Sequence, residues 1–171
     1  MSRIALTSRD VAMKHVRRRY VPVVSTLAAA SLVILPIIVS TPIVPDLGFM
    51  VLVAWRLLRP ELWTAQAALP FGFFNDLIAG HPIGQSMALW TMTFLILDVI
   101  DSRAIYRDYW MDWLIASVLI LFNAAGGWLV ARAMGSQAEF GILWPQIGLS
   151  VLAYPVVARL VGALDRWRVS R

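Results

Sequence analysis

Residues 71–85 read FGFFNDLIAGHPIGQ, which sets Asn75 and Asp76 inside an apolar run just before a turn containing Gly and Pro. A carboxylate in that setting has two roles open to it. It can carry a proton or an ion through an apolar barrier, or it can hold neighbouring backbone by accepting hydrogen bonds. Other chemistries find little support. A metal site needs clustered His, Asp or Glu, and the two histidines, His15 and His81, fall at opposite ends of the predicted helices. With no Cys there is no disulfide framework, thiolate site or Cys nucleophile. No G-x-S-x-G, H-E-x-x-H or phosphate-binding Gly-rich loop occurs, and no serine has a triad-like His partner. An enzyme would rest on carboxylates alone, and the pair Asp76 and Asp98 fails because they are predicted near opposite faces. We expect no catalytic residue, no metal and no cofactor.

The remaining acids have structural explanations. Asp46 and Glu139 fall in predicted outer turns, and Glu61 follows Arg59 and Pro60 in an inner turn. Asp98 and Asp101 approach an inner helix end with Arg103 close by, while Asp108 and Asp112 open a helix, where negative charge suits the dipole.

The elements that must position these groups are membrane helices. The chain of 171 residues is 60% hydrophobic and 15% charged, too apolar for a soluble surface. A span needs roughly 20 apolar residues. Residues 20–44, 62–80, 83–100, 110–134 and 141–164 meet or approach that length, whereas 46–58 is short. Counting the short segment as a span makes six helices with both termini on one side. All but Arg132 of the 15 Lys and Arg residues then share that side. A re-entrant segment would scatter them almost evenly, so the positive-inside rule selects six spans with both ends cytoplasmic. The domain plan is a basic segment 1–19, a six-helix membrane domain 20–164 and a basic tail 165–171. A cleaved signal peptide is disfavoured, because the first apolar run continues well beyond Ala28-Ala29-Ala30. Residues before 20 are expected to form a short surface helix. The terminal basic clusters fit anionic lipid headgroups better than nucleic acid. Tyr20, Trp55, Trp63, Tyr106, Tyr109, Trp110, Trp113 and Trp167 are expected at the inner headgroup level, and Trp128 and Trp144 at the outer one.

Within this plan Asp76 lies four residues before Gly80, about 6 Å along the axis and near the outer surface. That depth favours a structural or interface role over a proton relay. Ala68, Gly72, Asp76 and Gly80 share one helix face, which permits close approach by another helix. The small patch Asn123-Ala124-Ala125-Gly126-Gly127 is the expected partner of that face. The predicted packing or interface set is therefore Gly72, Asn75, Asp76, Gly80, Gly84, Asn123 and Gly127.

The ordered stretches PDLGFMVLVAWRLLRPELW and FGFFNDLIAGHPIGQSMAL resemble the bacterial rod shape-determining membrane protein family MreD, most clearly over residues 45–88. The late proline Pro155 also resembles the family pattern, whereas residues 123–141 carry nothing diagnostic. The resemblance implies a non-catalytic inner-membrane subunit of the complex that directs lateral peptidoglycan synthesis and maintains cell shape. The partners it implies are MreC, MreB, and RodA with its penicillin-binding transpeptidase. It further implies a fold like the six-helix substrate-binding subunit of energy-coupling vitamin transporters. The alternative is therefore a vitamin-binding subunit or a small proton-coupled carrier. That alternative needs a polar pocket open to the outside, lined by Asn75, Asp76, Gln85 and Asn123.

Overall fold

The computed structural model describes residues 8–34, 44–102 and 108–169, with side chains from Tyr20 onward in the first stretch. The segment 35–43 of the first expected span, and Arg103, Tyr106 and Arg107, lie outside the described residues. Among the described residues the structure is entirely helical, with no strand. The six α-helices are α1 (Ser8–Ser31), α2 (Leu47–Leu58), α3 (Ala68–Ala79), α4 (Gln85–Asp101), α5 (Tyr109–Ala133) and α6 (Trp144–Val169).

Two boundaries differ from the sequence expectation. Helix α1 runs through residue 19 without a break, and α6 continues through 165–169. The third predicted span, 62–80, is divided. Short 3₁₀ turns occupy Pro60–Leu62 and Ala65–Ala67, with Trp63 extended between them, so α3 starts only at Ala68. Pro60 accounts for the end of α2 at Leu58, since proline disfavours helix at the residue before it and lacks an N–H.

Helix α2 is the centre of the bundle. Asp46 caps it, its Oδ1 accepting from the Phe49 N–H at 3.0 Å. Its residues from Gly48 to Leu57, Val51 excepted, are buried, which is how a helix apolar on every side must sit. Trp90, Phe94 and Leu97 of α4 join it in one core with Tyr154 and Val161 of α6. Trp55, expected at the headgroup level, is completely buried there, its indole N–H donating to Ser25 Oγ at 2.9 Å. Close approach between α1 and α2 depends on Gly48, where a Cβ would stand 2.8 Å from that of Ala30.

The outer helices are built inside-out. Helix α5 and the run Phe140–Val169 are long and apolar enough to cross a membrane. Only 17% and 22% of their apolar windows are buried, unlike the core helix of a soluble protein. Leu114, Val118, Leu121 and Leu129 of α5, and Leu152, Val156 and Leu160 of α6, are exposed. Pro155 leaves the Val151 carbonyl without its helical donor, and the Trp113 indole N–H of α5 takes its place at 3.1 Å.

Candidate functional site

Asp76 reaches across a turn to hold the start of the next helix. It is 1% exposed; its Oδ2 accepts from the Gly84 N–H and its Oδ1 from the Ser86 N–H, each at 2.8 Å. Gly84 is the N-cap of α4 and has no side chain to cap it, so the carboxylate of α3 satisfies those free donors and the positive end of the dipole. Asn75 beside it donates from Nδ2 to Ser86 Oγ at 3.0 Å. Gly72, one turn earlier, lets the α4 backbone approach, and a Cβ there would lie 2.5 Å from the Met87 nitrogen.

The other predicted glycines act differently. Gly80 and Gly84 have positive φ values of 68° and 101°, and a Cβ on either would meet nothing within 4 Å. They shape the turn and make no helix contact. The patch at 123–127 does not meet the Gly72 face, because the first turn of α4 already fills it. Gly126 packs on Leu89 of α4, and Asn123 Nδ2 donates to Asp46 Oδ2 at 3.4 Å. A Cβ on Gly127 would approach only the Gln85 Nε2.

A second polar cluster binds the opposite end of the bundle. Arg56, one of the basic residues expected on the cytoplasmic side, is 4% exposed. Its Nη1 donates to Asp101 Oδ2 at 2.8 Å, and its Nη2 pairs with Asp98. Arg59 donates to Asp165 at 2.9 Å, and Arg168 pairs with the same carboxylate while lying over the Trp55 ring. The hydrogen bond and charge of Asp165 raise the Arg59 guanidinium above its already high ordinary value, so it stays ionised. The sequence signal for this cluster was a single Arg inside a short apolar helix, which demands a partner.

Between the ends of α1, α2, α5 and α6 lies a partly open cavity of about 760 Å³. Asn75, Gln85 and Asn123 line it, as the ligand-binding alternative requires, but Asp76 does not. Asp46, His81 and Gln146 are lining residues that sequence reasoning did not assign to it. No cluster of metal-ligating side chains occurs among the described residues. Comparison with family models, curated proteins and solved structures finds no match to this chain.

Proposed function

We propose that this chain is a non-catalytic membrane scaffold of the rod-elongation type, crossing a bacterial inner membrane six times with both ends cytoplasmic. The observation that carries this reading is how the carboxylates of the helices are used. Asp76 is committed to the α4 backbone, and Asp98 and Asp101 to Arg56, so these carboxylates hold helices together. The shortness of α2 is no obstacle to a span, because its neighbours enclose it and it need not match the hydrocarbon thickness itself. The resemblance of residues 45–88 to the MreD family supplies the partners: MreC, MreB, and RodA with its transpeptidase.

A second reading, a substrate-binding subunit of a vitamin transporter, is favoured by the cavity. A proton-coupled carrier based on Asp76 is not, since that carboxylate accepts two backbone hydrogen bonds and lies off the cavity. Gene deletion with affinity purification of the tagged chain separates the two. The scaffold reading expects rounded cells and recovery of MreC or the synthase. Normal rods, or recovery of transporter ATPases, would overturn it.

A further inference from the structure

The cavity has more hydrogen-bonding capacity than the fold uses. Its volume of about 760 Å³ falls within the range of small-molecule sites, about 300–1,000 Å³. Its walls are mainly apolar, from Ala30, Leu47, Met50, Ile120, Leu143 and Ile147. Four amides enter from four helices: Asn75, Gln85, Asn123 and Gln146. Asn75 and Gln146 use their N–H groups on Ser86 Oγ and the Val44 carbonyl, which leaves their oxygens as acceptors. Gln85 is half-buried and its side chain has no hydrogen-bond partner among the described residues. Asp46 gives one oxygen to the Phe49 N–H, while among the described residues the other has only the long 3.4 Å contact from Asn123.

Charge narrows the ligand. Among the described residues, Asp46 and Glu139 line the cavity, His81 is the one basic group there, and no Lys or Arg does so. Arg132 lies 5.2 Å from the centroid of Trp128, a lining residue, but is not itself part of the wall. A bound phosphate or carboxylate would lack a strong cationic partner and would face Asp46, at the cost of burying an unpaired charge. A donor head would meet the open Asp46 oxygen and the amide oxygens.

We propose that this cavity binds a neutral or cationic amphiphile that carries no phosphate, its apolar body between α1, α5 and α6 and its donor head at Asp46. This goes beyond the scaffold reading and does not depend on it, since a scaffold and a transporter subunit can both hold such a ligand. The test titrates the purified full chain, in phosphatidylcholine nanodiscs, with decylamine, decanamide and decanoate. Saturable stabilisation is expected, with decylamine about tenfold tighter than decanoate and decanamide between them. Asp46→Asn should erase that preference while keeping the α2 cap, because Asn caps as well as Asp. Gly127→Phe should fill the cavity and abolish binding, whereas Gly148→Phe, outside the cavity, should leave it intact. If Gly127→Phe does not fold, Ala131→Phe at the rim takes its place. Equal affinity for all three probes, tightest binding of decanoate, or unchanged decylamine binding in the folded cavity variant would each overturn the proposal.

Discussion

At the scale of single residues, Asp76 is defined by what its two oxygens accept. Each takes one backbone N–H of the turn entering α4, so an amide at this position can satisfy only one of them. Asp76→Asn should therefore destabilise by about 1–2 kcal/mol, and Asp76→Leu by about 3 kcal/mol, as buried donors lose their acceptors. Thermal unfolding in nanodiscs measures this graded order. Equal midpoints for the two variants would remove the capping account. The sequence places the carboxylate in an apolar run, and only the geometry shows that both of its oxygens are engaged. The glycines around it divide in the same way. Gly72 is needed for space and Gly84 for its positive φ, although both look alike in sequence.

At the scale of elements, α5 and α6 are joined by a repair. Pro155 breaks the α6 ladder, and Trp113 of α5 supplies the missing donor to the Val151 carbonyl. In an apolar surround a bare carbonyl is costly, so Trp113→Phe should destabilise by about 1–2 kcal/mol. Pro155→Ala restores the internal donor, so the same Trp113 change should cost clearly less in that background. A double-mutant cycle measures the coupling, and additive effects would show that the indole contact contributes nothing. The proline was plain in the sequence, but its donor lies on another helix and no local pattern indicates it. The Arg56 cluster was hidden for the same reason: Asp98 and Asp101 belong to α4, while their cation belongs to α2.

For the whole molecule, the helix ends sort into two groups. The ends of α2, α4 and α6 meet through Arg56, Arg59, Asp98, Asp101 and Asp165. The far end gathers Asp46, His81, Asn123 and Gln146 around the cavity. Read as a six-span protein, the first group is cytoplasmic. The absence of native Cys makes that directly testable with single cysteines. Ser136→Cys should react with an impermeant maleimide on intact spheroplasts, and Arg166→Cys only after permeabilisation; the reverse pattern would invert the topology.

The sequence by itself determined the apolar character of the helices and the scarcity of charge among them. Apolar run lengths and scarce charges are properties of the chain alone, and two of its helices are long and apolar enough to cross a membrane. It also marked the turn at 80–84 and the unusual carboxylate before it. Only the tertiary structure decided what those groups touch. It set Asp76 on α4, buried Trp55 and Arg56, moved the 123–127 patch away from Gly72, and opened the cavity at Asp46. Periodicity specifies which residues share a face of one helix. Which face meets which depends on packing among all the helices at once, and no single segment encodes that.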